Sequence, residues 1–435
     1  MQTPLRDRSL AAVWHPCTQM KAHSAGLPML PIVRGEGAWL EDADGRRYLD
    51  GVSSWWVNLF GHCHPRINEA LIDQLQRIEH VMLAGCTHEP VVALSERLAA
   101  LTGGTLGHCF YASDGASATE IALKMSAHYW RNTGQAEKNR FLCLAGGYHG
   151  ETVGALGVTD IPLFRTAYAD LIRAATVVPS PDARLAETPL LAVDAATTAL
   201  EAFLDEHHAR TAALIIEPLV QCAAGMAMHD PAYVRRAREI CDHYRIHLIC
   251  DEIAVGFGRT GSFFAHEQAG VRPDFLCLSK GITGGYLPLA AVLTRDRIYE
   301  AFYDDRTAAG FLHSHSYTGN PLACRAALAT LDLFAEEDIL AANAHRGEAI
   351  ERGLAAIASH PRVRHYRRRG MIFAFDVESD VNFGRRFQLA ALEQSVLLRP
   401  IGNTVYLMPP YILDDDEISH LCAATAAALE AALAG

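Results

Sequence analysis

The middle of the chain alternates short apolar runs with segments of helical period. LCLAGGY (142–148), AALIIEPLV (212–220), HLICDE (247–252), DFLCLSK (274–280) and PLAAVLT (288–294) are apolar almost throughout. Runs of that length and character predict buried strands. Between two of them, DPAYVRRAREICDHYR (230–245) places Val234, Ala237, Cys241 and Tyr244 at helical spacing, with Asp230-Pro231 as its start. HCFYASDGASATEIALKMSAHYW (108–130) reads as a strand, a turn of small residues and a long helix. Strands apolar on both faces and joined by helices predict an α/β fold with a mainly parallel sheet. From about residue 330 the pattern changes to long helices with short strands, MIFAFDV (371–377) and TVYLMPP (404–410). It closes on an amphipathic alanine-rich helix (420–435). GAWLEDADGRRYLDG (37–51) predicts a hairpin turning at Asp44-Gly45. The expected organisation is a large domain over 61–329 and a smaller α+β domain over 330–435, against which residues 1–60 pack.

Composition narrows the function classes. With 435 residues, half of them hydrophobic, the chain can bury a large core. Its formal net charge of −12 disfavours non-specific binding to nucleic acid or anionic membrane. The eleven cysteines are dispersed and form no CxxC pair. That usage fits reduced thiols in the cytoplasm, mostly buried as small apolar residues. The first twenty residues lack a signal-peptide core, and no uncharged apolar run reaches the ~18–20 residues of a membrane span.

Ligands of open α/β sheets sit at the carboxyl ends of strands. Two of these ends carry unusual residues: Asp251 with Glu252, and Lys280 running into KGITGG. Burying an ammonium is costly, yet desolvation brings its pKa toward neutrality and makes it a nucleophile. Pyridoxal 5'-phosphate (PLP) needs such a lysine, together with a carboxylate to keep its ring nitrogen protonated. Asp251 suits the second role; the bland alternative is an ion pair at the rim. Gly115 and Ala116 would offer backbone N–H groups to a phosphate at a helix N-terminus. Ser316, in HSHSYTGNP (313–321), adds a hydroxyl, and Tyr148, in AGGYHGET (145–152), adds a stacking face. GFGRTG (256–261) has the spacing of a dinucleotide fingerprint, but the acidic residue that should follow the second strand is missing, since Asp274 precedes it. HCH (62–64) and HSH (313–315) lack partner ligands at zinc spacing, so no metal is expected.

Taken in order, SDGASATE, GYHGET, IIEP, CDEIAVGFGRTG, PDFLCLSKGITGG and HSYTGNPLA resemble the PLP aminotransferases of fold type I. The nearest subgroup is that of the ornithine and 4-aminobutyrate aminotransferases, and the resemblance covers nearly the whole chain. It implies a homodimer with shared active sites, PLP carried on Lys280, and a Ser316 loop that reaches the neighbouring subunit's phosphate. WHPCTQM (14–20), DGVSSWWVNLFGHCHP (50–65), EHVMLAGCTHEP (79–90) and LLRPIGNTVYLMPPY (397–411) are similar to the biotin-synthesis branch. That branch aminates 8-amino-7-oxononanoate with S-adenosyl-L-methionine as donor. The likeness implies that Trp55 and Trp56 wall the pocket of a long keto acid, and that Arg399 clamps its distal carboxylate. Cys17, Tyr148, Lys280 and His315 complete the substrate set. Cys222 stands where the ornithine and 4-aminobutyrate enzymes have a glutamate that masks an arginine, which disfavours glutamate and 2-oxoglutarate as the working pair. Cys17 replaces a tyrosine that lines the adenosylmethionine side. A lysine-dependent or ω-amino-acid aminotransferase therefore stays open, as do an aminomutase or racemase of the same fold and a non-enzymatic PLP-binding role.

Overall fold

The computed structural model describes residues 3–24 and 26–434. It divides into two compact units. The larger comprises Arg66–Asn343 with Arg369–Met371. Its sheet has seven strands: β1 His108–Ala112, β2 Arg140–Leu144, β3 Thr176–Val178, β4 Thr211–Ile216, β5 His247–Asp251, β6 Phe275–Leu278 and β7 Ala290–Thr294. They run in the order β1-β7-β6-β5-β4-β2-β3. Only β7 is antiparallel to its neighbours in the sheet, β6 and β1. The connection from 279 to 289 is too short for the crossover that a parallel return requires. Strands β4 to β7 are buried along their whole length, as their unbroken apolar runs require.

Two helices show how the pattern seats itself on this sheet. Helix α1 (Gly115–Asn132) lays Ala118, Ile121, Ala122 and Met125 into the core with Ile215, Ile249, Phe275 and Val292. Helix α2 (Pro231–His243) buries Val234, Ala237 and Cys241, and Tyr244 forms its C-cap. The Asp230 carboxylate caps its start by accepting the Ala232 N–H at 2.8 Å.

The smaller unit is built from the chain up to Pro65, Ala344–Arg368 and everything from Ile372. The hairpin turning at Asp44-Gly45 forms, with strands Trp39–Asp42 and Arg47–Asp50 antiparallel. Asp42 fixes the turn by accepting the Asp44 and Arg46 N–H groups at 3.0 and 2.9 Å. Val396–Leu397 extends this sheet parallel to Arg47–Asp50, joining the two ends of the chain. Val363–Arg369, Ile372–Val377 and Thr404–Leu407 make a second, three-stranded sheet. Among the described residues, no helix is long and apolar enough to cross a membrane.

Asp274 shows what the large sheet requires of a buried charge. Its carboxylate accepts the Leu248 N–H at 2.9 Å and pairs with Arg238 at 2.7 Å and Arg297 at 2.5 Å. Burial pushes its pKa up, but Arg238, His247 and Arg297 outweigh this and hold it at about 2. Removing one partner leaves the remaining charges buried and uncompensated. Asp274→Ala should therefore lower unfolding free energy by about 3–5 kcal/mol, read as a fall in the urea midpoint.

Candidate active site

The carboxyl ends of β1, β6, β5, β4 and β2 share one edge of the sheet, and each delivers a polar residue. Asp251 ends β5 and stands in register with Cys277 of β6, three residues before Lys280. Lys280 is not on the strand itself. It opens a short 3₁₀ turn, Lys280–Thr283, with φ at +44°, a left-handed setting that a lysine rarely adopts. Burial lowers its ammonium pKa, while Asp251, Cys222 and Glu217 pull the other way. The net direction is down, as a nucleophilic amine requires.

Asp251 is buried and fully engaged. Its Oδ2 accepts from His149 Nδ1 at 2.7 Å, and its Oδ1 accepts the Ile253 N–H at 3.1 Å. His149 is buried too, and its Nε2 has no partner among the described residues. The His149 N–H donates to Thr159 Oγ1 at 3.0 Å, and its carbonyl accepts from Thr119 Oγ1 of α1 at 2.8 Å. Glu217, immediately after β4, accepts the Tyr148 N–H through Oε2 and the Cys222 N–H through Oε1, both at 3.0 Å. The half-buried Tyr148 ring lies against Phe164 at 5.5 Å, and its hydroxyl donates to Glu151 Oε1 at 2.9 Å. Glu252, beside Asp251, does a different job. It accepts the Ala265 and His266 N–H groups and anchors that turn.

At the start of α1, Asp114 accepts the Ser117 N–H at 2.9 Å. The N–H groups of Gly115 and Ala116 lie in the first turn, beyond reach of any helix carbonyl. Gly115 is required here by packing, since a Cβ would sit 2.9 Å from Ile253 Cγ2. Ala116 faces Gly150, whose Cβ would come within 2.5 Å of it. The loop holding His315 and Ser316 is pinned by Thr318 and by His88, which meets the Gly319 carbonyl at 2.8 Å. Ser316 is exposed, and its hydroxyl makes no hydrogen bond among the described residues.

The remaining candidates belong to the smaller unit. Cys17, Trp55 and Arg399 line one cavity of about 500 Å3. Arg399 donates to the Cys17 carbonyl at 3.0 Å, and its guanidinium lies 4.6 Å above the Trp55 ring. Trp56 does not line this cavity. The four residues Ser53 to Trp56 all have φ between +46° and +73°. This left-handed segment sends the two indoles apart: Trp55 is 43% exposed, whereas Trp56 is 6% exposed and donates to Tyr406 Oη at 3.1 Å. Asp50 holds the segment, accepting from the Ser54 N–H at 2.9 Å and the Ser54 hydroxyl at 2.7 Å.

Two residues of the sheet edge escaped the sequence reading. His149 adjoins the tyrosine singled out in GYHGET, and Glu217 interrupts the otherwise apolar AALIIEPLV run. The available signal was a polar side chain at the edge of a buried segment. The assembled groups fit PLP: an amine of lowered pKa, a fixed carboxylate, two first-turn amides for a phosphate, and an aromatic face.

Comparison with known proteins agrees. The model of the class-III aminotransferase family matches residues 20–429. An adenosylmethionine-8-amino-7-oxononanoate aminotransferase of Helicobacter pylori is 44% identical over 97% of each chain. The solved structure of the enzyme of that name from Methanocaldococcus jannaschii superposes with a TM-score of 0.92 at 34% identity, covering 98% of each chain. An amine transaminase from an uncultivated Pseudomonas species, in its PLP-bound form, gives 0.91 at 33% identity, with 96% of this chain and 98% of that one covered.

Glu217 generates a prediction about pH. Burial raises its carboxyl pKa from 4.5 to about 7. The folded state then binds a proton that the unfolded state has released, so stability present below pH 4.5 is lost as pH rises through 7. The loss can reach roughly 3 kcal/mol. Glu217→Gln should flatten this limb, measured as the thermal midpoint of cofactor-free protein between pH 5 and 8.

Proposed function

The chain belongs to the class-III aminotransferases, and on that premise we propose that it is the PLP enzyme aminating 8-amino-7-oxononanoate to 7,8-diaminononanoate in biotin biosynthesis. S-adenosyl-L-methionine is the amino donor, and the working form is a cytoplasmic homodimer. The observation that carries the reading is Asp251 at the end of β5 in register with Cys277 of β6, three residues before Lys280, whose amine has a lowered pKa. It is supported by named relatives that match almost the whole chain.

When bound, PLP supplies an electron sink that lets a proton leave the carbon bearing the amino group. Lys280 Nζ, with its pKa lowered, is the base that takes this proton and returns it. Asp251 keeps positive charge on the ring nitrogen, with its carboxylate oriented by His149. Gly115 and Ala116 hold phosphate, and Ser316 serves the phosphate of the neighbouring subunit. Tyr148 stacks on the ring, and His315 belongs to the substrate set. Trp55 and Arg399 receive the aliphatic chain of the acceptor and its distal carboxylate, with Cys17 on the donor side. A glutamate at position 222 would mask an arginine; the buried Cys222 thiol, its pKa held well above ordinary, carries no charge to do so.

One observation favours a second reading. Cys17 offers the donor neither an aromatic face nor a hydroxyl, which leaves room for lysine or another ω-amine as donor. A donor screen on purified enzyme, with 8-amino-7-oxononanoate as acceptor, decides between them. Adenosylmethionine should convert the enzyme to its amine-loaded form. If only lysine does so, the donor changes and the acceptor stands.

For the chemistry itself, Lys280→Ala should lose the visible absorbance of the bound cofactor together with turnover. Asp251→Asn should keep the cofactor yet lose activity by about three orders of magnitude, since charge at the ring nitrogen is no longer stabilised. Wild-type kinetics in either variant would remove that residue from the mechanism.

A further inference from the structure

His23 is 7% exposed, and neither of its ring nitrogens has a hydrogen-bond partner among the described residues. It lines the same cavity as Trp55 and Arg399. Its neighbour His15 meets it edge-on, with ring centroids 5.6 Å apart, and is itself bonded to Ser9 at 3.2 Å. That contact satisfies neither His23 nitrogen. A buried polar group left in this state costs about 1–3 kcal/mol. The wall combines aliphatic side chains such as Leu27, Leu30 and Leu397 with the polar Thr18, Gln19, Ser54 and Gln388, and none of the latter bonds to a His23 nitrogen.

The charges are equally one-sided. Arg399 gives its guanidinium to a backbone carbonyl and to an indole face, and pairs with no carboxylate among the described residues. No acidic side chain lines the cavity. A permanent cation and an unsatisfied imidazole, with a group of leucines beside them in a mixed wall, describe a receptor for an anion on an apolar stem. A carboxylate has about four lone-pair sites, enough to accept from a guanidinium and an imidazole together.

We infer that His23 is a specificity-determining residue of the amino-acceptor subsite, donating a ring N–H to the distal carboxylate that Arg399 attracts. The inference rests on the acceptor reading above and adds the residue that separates an ω-carboxylate chain from a neutral one of equal length. Recognition by two donors rejects an uncharged analogue more strongly than one donor does, because both are then left desolvated and unpaired.

The test uses intact holoenzyme and two probes, nonanoate and its neutral counterpart 2-nonanone, with binding followed by calorimetry. His23→Phe keeps the ring volume and removes both nitrogens; His23→Gln returns one N–H. Nonanoate should bind about tenfold more weakly to His23→Phe, a loss within the range of a charge-assisted bond. The His23→Gln variant should recover most of this affinity, and 2-nonanone should bind all three proteins alike. In steady-state kinetics, the KM for 8-amino-7-oxononanoate should rise while kcat and the donor KM hold. If His23→Phe melts early, the discriminating comparison becomes His23→Gln against His23→Leu. The inference is overturned if a variant that lacks both nitrogens and melts as wild type binds nonanoate with wild-type affinity. It is also overturned if 2-nonanone weakens in parallel with nonanoate. If nonanoate binding depends on His23 but wild-type enzyme fails to aminate 8-amino-7-oxononanoate, the acceptor assignment falls and the carboxylate subsite stands.

Discussion

A carboxylate at the end of a strand buried on both faces has no water to turn to, and the site is arranged around that constraint. Asp251 meets it through His149, at 2.7 Å. The same histidine is tied to Thr159 through its N–H and to Thr119 of α1 through its carbonyl. One residue thus meets the strand that carries the acid through its ring, and the 159 turn and helix α1 through its backbone. A half-satisfied network in a low dielectric is worse than none, so the bonds around Asp251 fix geometry as well as charge.

The neighbouring ionisable groups divide by how completely protein groups satisfy them. Asp274 is balanced by arginines and Glu252 by the 265–266 turn; both stay structural. At Lys280 burial is the larger influence. Desolvation outweighs the combined pull of Asp251, Cys222 and Glu217, and its amine is left easier to deprotonate. Glu217 sits between these cases. Burial and the charge of Asp251 oppose its charge, His149 and two backbone N–H groups favour it, and its pKa settles near neutrality. Position along one sheet edge does not by itself separate a catalytic group from a scaffold. The balance of burial against neighbouring charge does.

Much of this was legible beforehand. The apolar runs gave the central strands, Asp230-Pro231 a capped helix, and Asp44-Gly45 a hairpin, because each is decided by residues close in sequence. Lys280 and Asp251 stood out because charge at the end of an apolar run is costly. The direction of β7 was open to the same local reasoning, through the short connection before it. His149 and Glu217 were harder. Their roles come from partners 102 and 69 positions away, which meet them only once the strands are ordered. The separation of Trp55 from Trp56 was illegible for another reason: it follows from four consecutive left-handed residues, none of them glycine, that Asp50 holds in place. No propensity scale anticipates that choice, since it runs against the intrinsic preference by about 1–2 kcal/mol per residue.

The two compact units carry different kinds of information. The sheet edge of the larger unit holds groups defined by what a cofactor needs: a base, an acid, amides and an aromatic face. The cavity of the smaller unit is lined by aliphatic and polar side chains together with Arg399 and His23, which on the proposed function match a substrate's outline. These residues come from both ends of the chain, which Val396–Leu397 and Arg47–Asp50 bring into one sheet. The cavity wall is largely loop and short turn, where substitutions disturb little of the core, whereas the groups at the sheet edge are tied to fully buried strands. On the proposed assignment, a change of acceptor is therefore open to substitution at His23, Arg399 or Trp55 with the chemistry at Lys280 left in place. The reverse does not hold. Altering Asp251 or His149 would disturb the strand, the loop and the helix that any substrate of this chain must share.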